Sequence, residues 1–168
     1  MNNESISPYW AEQTFIGKLY LQVQNEKIAI NVGNEPYIAG ENESSLRGPT
    51  PPPTPIPLLK PGTQDAVKLV FKFSNKASNR LSYQLLDAAG PARCTLDERG
   101  HIILRGAPAT TFELEVLSAE AHSLRCILYS NNQRIRLFRY AFTGPGPRQV
   151  KVLRLHVGEA CEFVIERC

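Results

Sequence analysis

The chain has 168 residues, of which 42% are hydrophobic and 21% charged, which suits one sizeable domain with an arm, or two very small ones. No apolar run approaches the roughly 20 residues that span a bilayer, and the polar start lacks the basic and apolar regions of a signal peptide, so a cytoplasmic protein is expected. The formal net charge of +3 and the pI of about 8.7 are only modestly basic, which argues against a dedicated nucleic-acid binder.

The N-terminal arm contains the only tryptophan of the chain. Tyr9 and Trp10 follow Pro8, and an aromatic pair near a terminus can anchor an arm by burying apolar area. Packing of the two rings onto their own domain is the favoured interpretation. Packing onto a neighbouring subunit is the alternative.

Residues 15–32 show the clearest hairpin pattern. Leu19, Leu21 and Val23 alternate with Tyr20 and Gln22, and a second alternating run at 28–32 follows a turn. A lone two-stranded hairpin is only marginally stable in water, so this one must dock on another surface.

Prolines dominate residues 47–57, where each ring fixes φ and removes a backbone donor. An extended polyproline II segment is predicted there, within a connector at 47–65 that separates an arm at 1–46 from a domain at 66–168. A semi-rigid spacer is favoured over a ligand for aromatic-lined grooves, because composition alone does not identify a domain that would bind the segment. The hairpin then either joins the same domain or is carried by the spacer to a partner.

The remainder of the chain alternates between apolar and polar residues and is broken by short turn signals. About seven or eight strands are predicted there at the spacing of a β-sandwich, with no internal repeat. The strand at 149–157 shifts its apolar phase between Val152 and Leu153, and a β-bulge is predicted at that step.

A resemblance to a known family covers residues 81–116, about a fifth of the chain. The matching runs are Leu81-x-Tyr83-x-Leu85, Leu96-Asp97-x-x-Gly100-x-Ile102, Gly106-x-Pro108, Thr110-Thr111-Phe112 and Val116. They resemble the cadherin-like or immunoglobulin-like β-sandwich repeats of bacterial proteins. In that family such runs are successive strands of a Greek-key sandwich, which the resemblance implies for this chain. The acidic calcium motifs of the family are not visible in the sequence, so the resemblance implies the fold and no ion.

Charge is distributed unevenly along the chain. Residues 1–66 carry seven acidic and four basic side chains, whereas residues 121–158 carry seven basic side chains and no acidic one. The second window predicts an anion-binding face at 125–154, and nucleic acid stacked on Tyr129 and Tyr140 is one candidate ligand. The alternatives are a solvated sheet face paired with glutamates on adjoining strands, and a surface for an acidic protein arm. The candidate binding residues are Tyr9, Trp10, Arg134, Arg136, Arg139, Tyr140, Arg148, Lys151 and Arg154.

Residues with catalytic or metal-binding chemistry are scattered. The four cysteines are Cys94, Cys126, Cys161 and Cys168. They form no C-x-x-C pair, so reduced and mostly buried thiols are expected instead of a zinc site or disulfides. His122 lies beside Ser123, but sequence adjacency makes no catalytic triad. No catalytic residue, cofactor or metal is therefore predicted.

Together these features predict an all-β, immunoglobulin-like antiparallel β-sandwich with an N-terminal β-hairpin and a proline-rich connector. The expected function is non-enzymatic binding or assembly, as an accessory or structural subunit that contacts a protein partner or a second copy through a sheet face or edge. Anion or nucleic-acid binding through residues 125–154 is the first alternative. A hydrolase-type enzyme is the second and weaker one.

Overall fold

The computed structural model describes residues 7–34, 57–106, 108–142 and 148–168. These residues form twelve β-strands and one 3₁₀ helix at Tyr9–Glu12. No helix in the described ranges is long and apolar enough to cross a membrane. The strands are β1 (Phe15–Val23), β2 (Glu26–Asn34), β3 (Pro57–Pro61), β4 (Lys68–Ala77), β5 (Arg80–Asp87), β6 (Arg93–Leu96), β7 (Ile102–Arg105), β8 (Thr111–Ala119), β9 (Ser123–Ser130), β10 (Gln133–Phe142), β11 (Arg148–Leu155) and β12 (Glu162–Arg167).

The strands form where apolar and polar residues alternate along the chain. The hairpin predicted at 15–32 is confirmed, since β1 and β2 form it. In β1 the side chains of Leu19 and Leu21 are at most 1% exposed, while Tyr20 between them faces outward. The turn between β9 and β10 places Asn131 and Asn132 at φ angles of 50° and 61°. Two successive positive φ angles match the twist of a tight hairpin, and asparagine tolerates that conformation better than most residues.

Nine strands close into an antiparallel barrel, so the predicted immunoglobulin-like sandwich is wrong. Their order is β1-β2-β3-β7-β6-β5-β8-β9-β12, and β12 pairs again with β1. The closing ladder runs from Gly17↔Arg167 to Gln22↔Glu162. Because the first and last strands of the chain are hydrogen-bonded neighbours, the ring has no free edges that could separate two sheets.

Three further strands attach to the barrel. β4 pairs with β5 and also with the first half of β1, through the pairs from Phe15↔Phe71 to Lys18↔Lys68. β10 continues from β9 and then forms a ladder of eight residue pairs with β11. We call β1 and β2 the N-terminal hairpin, and β10 and β11 the outer hairpin.

The outer hairpin also lacks the predicted β-bulge. Its register runs without a shift through all eight pairs. Val152 and Leu153 are both 0% exposed because β11 is covered on both faces. Leu153 joins the main core, whereas Val152 packs in a second cluster with Leu58, Ile103 and Val150. The apolar phase shift therefore reports burial on two sides instead of an inserted residue.

Aromatic side chains hold the 3₁₀ helix against the main core. The Phe15 ring stacks on Phe71, with centroids 4.8 Å apart, and meets the rings of Trp10 and Tyr83 edge-on at 4.9 and 5.8 Å. The hydroxyl of Tyr83 donates a hydrogen bond to the carbonyl of Ala11. Such pairs add stability beyond the apolar area that they bury.

A barrel strand lies within the segment predicted as a connector. β3 pairs with β2 through five residue pairs, and its Leu58 and Leu59 are at most 1% exposed. Its first and last residues are prolines, which strands tolerate best at their ends. The polyproline II segment predicted for residues 47–57 lies outside the described residues except for Pro57, which begins β3.

Candidate functional site

A cleft of about 460 Å³ lies between the N-terminal hairpin and the outer hairpin. Its floor is apolar: Leu21 and Leu137 are at most 6% exposed, and Ile28 is half-buried. Its rim is charged, because Arg139 and Glu159 are both exposed at its edge. We call this site the hairpin cleft.

One wall of the hairpin cleft is held by Asn31, a polar side chain that is only 8% exposed. Its amide nitrogen donates to the carbonyls of Gln64 and Asp65 at 3.1 and 2.9 Å, and its oxygen accepts from the Gln64 amide at 3.1 Å. A Cβ on Gly62 would overlap with this side chain, so a larger residue there would displace Asn31 from its hydrogen bonds. The network fixes the β3–β4 connection, which lines the cleft.

A second wall depends on Gly158. This residue has a φ of 124°, and a Cβ on it would collide with the carbonyl of Leu137. The close approach lets Glu159 and Leu137 exchange two backbone hydrogen bonds, of 3.0 and 2.8 Å. Consequently the Glu159 carboxylate is held on the rim, 3.5 Å from the Arg139 guanidinium. An exposed ion pair of this kind adds little stability, so both charges stay available to a partner.

Two of the predicted binding residues, Arg139 and Lys151, lie together on the rim. They are direct partners in the ladder of β10 and β11, and both are exposed. Directly opposed residues of an antiparallel pair point to the same face. Two cations therefore stand beside the single carboxylate of Glu159, and this part of the rim is net positive.

The other predicted arginines are not on the rim. Because side chains alternate along a strand, Arg134, Arg136 and Arg154 point to the opposite face of the outer hairpin. Arg134 and Arg154 each donate to a backbone carbonyl at 2.9 Å. Nothing is described of the Arg148 side chain. The predicted anion-binding face is thus divided between two faces, and its half-buried members hold the fold together.

Tyr140 lies in a partly buried hydrogen-bond network. Its hydroxyl oxygen is 2.7 Å from Nε2 of His101 and 3.3 Å from Nη1 of Arg154, and Nδ1 of His101 is 2.8 Å from Oδ2 of Asp97. His101 is 0% exposed. Burial favours a raised pKa for Asp97, but the hydrogen bonds and the charge of His101 outweigh it and lower the pKa. With both ring nitrogens occupied, His101 presents no free base to a ligand.

The aromatic pair of the arm is split between two environments. Trp10 is 8% exposed and packs on the core of its own chain, whereas Tyr9 is 79% exposed. Tyr9 is therefore the ring that a partner can contact.

Two cysteines and one histidine considered in the sequence lie in different environments. Burial raises the pKa of Cys161, which lines the hairpin cleft, to about 11, so this thiol is protonated near neutral pH and is a weak nucleophile. Cys126 is 0% exposed, whereas His122 is exposed in the loop before β9. Within the described ranges, no group of three or more His, Cys, Asp or Glu residues is arranged to hold a metal ion.

Sequence reasoning missed a second group of cations. Lys18, Lys68, Lys72 and Arg93 are distant in the chain, yet strand register brings them to one outward face of the barrel. The available signal was local: Lys68 and Lys72 alternate with inward residues on one strand. Lys18 and Arg93 join these two lysines through the pairing of the strands, which cannot be read from the sequence.

Comparisons of the chain with protein-family models, with curated proteins and with solved structures gave no match.

Proposed function

We propose that this protein is a non-enzymatic binding module, an accessory or structural subunit that holds a segment of a protein partner in the hairpin cleft. One observation carries the proposal: an apolar floor lies beneath a rim that bears charges of both signs. The cleft volume of about 460 Å³ lies within the range of natural binding pockets. The partner is either a different protein or a second copy of this chain.

The chemistry of the cleft suits an apolar side chain carried on a polar backbone. Such a side chain would rest on Ile28 and Leu137 and cover Val23, which is 39% exposed at the edge of the cleft. Removing this apolar area from water would supply the favourable free energy of binding. Polar groups of the partner would meet Arg139 and Glu159, and these charges would set its orientation.

The state of the reactive side chains supports a binding role over a catalytic one. Cys161 is the thiol that lines the cleft, and its pKa of about 11 keeps it protonated. His101 is buried, with both nitrogens engaged. A hydrolase-type reaction needs an accessible base beside a nucleophile, and these two residues do not supply it.

A pair of matched valine variants tests the proposal. Val23→Asp places a carboxylate at the cleft, and Val32→Asp places one on β2 outside the cleft; the two valines are 39% and 44% exposed. Tagged wild type and both variants are isolated from the native host, and the co-purified proteins and the mass of the complex in solution are quantified. We expect V23D to lower recovery of the partner, or the dimer population, at least about tenfold, which corresponds to about 1.4 kcal/mol.

The V32D variant should behave like the wild type. Equal losses in V23D and V32D would contradict the proposal, and so would a wild-type protein that is monomeric and recovers nothing above a tag-only control. Thermal unfolding of each variant shows whether the fold is retained.

A further inference from the structure

We propose that the outward face of β1, β4 and β5, with the adjoining end of β6, is a second binding surface that fits an acidic amphipathic helix of a partner protein. We call it the basic face. Its cations are Lys18, Lys68, Lys72 and Arg93. The surface is separate from the hairpin cleft and shares no residue with its lining.

Strand register assembles the cations of the basic face. Lys18 and Lys68 are direct partners in the ladder between β1 and β4. Lys72 lies four residues further along β4 and points to the same side, which places it about 13 Å from Lys68. Arg93 enters from β6, where it pairs with Leu86 of β5. The four cations therefore surround a patch that is several strands wide.

An apolar row crosses the middle of the patch. Ile16 pairs with Val70, and Val70 pairs with Leu86, on three adjacent strands. The alternate residues Phe15 and Phe71 point into the core, so these three side chains face outward. Ile16 is 43% exposed, and Val70 and Leu86 are half-buried. The row offers apolar contact area between flanking cations.

The four cations of the basic face form no ion pair with the carboxylates of the described residues. Glu166 is opposite Lys18 in the ladder of β1 and β12, but its carboxylate is paired with Lys27. Unpaired cations clustered on one surface create a field that attracts an acidic partner.

The partner must approach the face, because the strand edges here are already paired. Between Lys68 and Phe71, β4 is paired with β1 on one side, and from Leu69 onward it is paired with β5 on the other, while β1 lies between β4 and β12. Strand addition therefore has no free edge to use along the apolar row. An element that lies across a sheet and carries its own hydrogen bonds is a helix. Cations on both sides of an apolar row match a helix whose apolar stripe is flanked by acids.

Two other anionic partners fit less well. A bilayer would meet the long lysines first, because Val70 and Leu86 are shorter and half-buried between them. Single-stranded nucleic acid binds through aromatic stacking, and none of the seven side chains that define the basic face is aromatic.

A designed peptide provides the probe. It is a helix of about 18 residues, five turns long, with a leucine stripe flanked on both sides by glutamates and a fluorescent label; a scrambled peptide of the same composition is its control. Binding to the full chain is measured by fluorescence anisotropy. The double variant Lys68→Glu/Lys72→Glu is compared with Arg139→Glu/Lys151→Glu, which changes the charge equally on the rim of the hairpin cleft.

We expect wild type to bind the helix, K68E/K72E to weaken binding at least tenfold, and R139E/K151E to change it less than twofold. The scrambled peptide should bind at least tenfold more weakly. The proposal is overturned if wild type does not bind the helix, if both double variants weaken it equally, or if scrambling has no effect. Tighter binding of single-stranded DNA or phosphatidylserine vesicles that depends on Lys68 and Lys72 would also overturn it, by assigning the face to another polyanion.

Discussion

His101 and Tyr140 are joined by a hydrogen bond of 2.7 Å between the ring Nε2 of the first and the hydroxyl oxygen of the second. His101 immediately precedes β7 of the barrel, and Tyr140 lies on β10 of the outer hairpin. The bond therefore ties the outer hairpin to the barrel, next to the backbone bridge between His101 and Arg154. Since the outer hairpin forms one side of the hairpin cleft, this contact helps to define the cleft.

Replacement of Tyr140 by phenylalanine tests how much this hydrogen bond stabilises the fold. The substitution removes one hydroxyl and leaves Nε2 of the fully buried His101 without this partner. An unsatisfied buried polar group costs about 1–3 kcal/mol, so we expect the free energy of unfolding in urea to fall by that amount. Tyr9→Phe is the matched control, because Tyr9 is 79% exposed, and its effect should lie within about 0.5 kcal/mol. Equal stability of Y140F and wild type would show that the bond is dispensable.

The stability of the protein should depend on pH through Asp97. Its carboxylate Oδ2 faces His101, and its Oδ1 accepts from the amides of Arg99 and His101 at 2.9 Å each. Because its pKa is lowered in the folded state, the unfolded chain takes up the proton first as the pH falls. The contribution is fully present above about pH 4, the ordinary value for aspartate, and is lost as the pH falls through the lowered pKa.

Asp97→Asn is the variant that measures this contribution. Asparagine keeps an oxygen for the two backbone amides and loses the charge next to His101. The difference in unfolding free energy between wild type and D97N should be largest above about pH 4 and should shrink towards about pH 2. A difference that stays constant over that range would mean that Asp97 does not titrate as described.

Cysteine reactivity should separate the four thiols by burial. Cys168 is exposed, whereas Cys94 and Cys126 are buried, and burial raises the pKa of Cys94 to about 12. We expect one thiol group per native chain to react rapidly with a thiol reagent at about pH 7.5, because only an accessible thiolate reacts. All four should react after unfolding, and Cys168→Ser should abolish the rapid phase. Two rapidly reacting thiols in the native chain would contradict either the burial of Cys94 and Cys126 or the raised pKa of the half-buried Cys161.

Gly158→Ala should distort the wall of the hairpin cleft that carries Glu159. A methyl group would collide with the carbonyl of Leu137 and would need an unfavourable positive φ. We expect a loss of about 2 kcal/mol or more, since backbone strain of this kind costs about 1–3 kcal/mol before any hydrogen bond is lost. Gly90→Ala is the control, because its nearest contact would be an ordinary 3.6 Å to Asp87. Similar unfolding curves for both variants would show that a methyl group at position 158 does not collide with Leu137.

The individual strands could be predicted because alternation is a local property. Leu81, Tyr83 and Leu85 are buried in β5, as their spacing indicates. Closure of the barrel could not be predicted, because it depends on the pairing of β1 with β12. Gly17 and Arg167 lie near opposite ends of the chain, and alternation does not show which strands pair with each other. The resemblance at 81–116 pointed to a sandwich because short antiparallel strands with similar turns build both sandwiches and barrels.

The hairpin cleft could be predicted only in part. Arg139 and Lys151 were found because they lie in a window without acidic residues, but the same window suggested a single face. Alternation sends Arg154 to the other side of the outer hairpin. The apolar floor of the cleft could not be predicted from the sequence, because Leu21 and Leu137 belong to two hairpins that meet only in the closed barrel.

The N-terminal hairpin is built into a closed barrel, and nuclear Overhauser effects between neighbouring strands would establish this arrangement in solution. Cross-strand contacts between β1 and β12, at Leu19↔Ile165 and Leu21↔Phe163, are expected together with contacts between β1 and β4 at Lys18↔Lys68. Both sets should appear at a concentration where the protein is monomeric. If the contacts of β1 were confined to β2, the hairpin would be separate from the rest of the chain, and the barrel, the hairpin cleft and the basic face would all be contradicted.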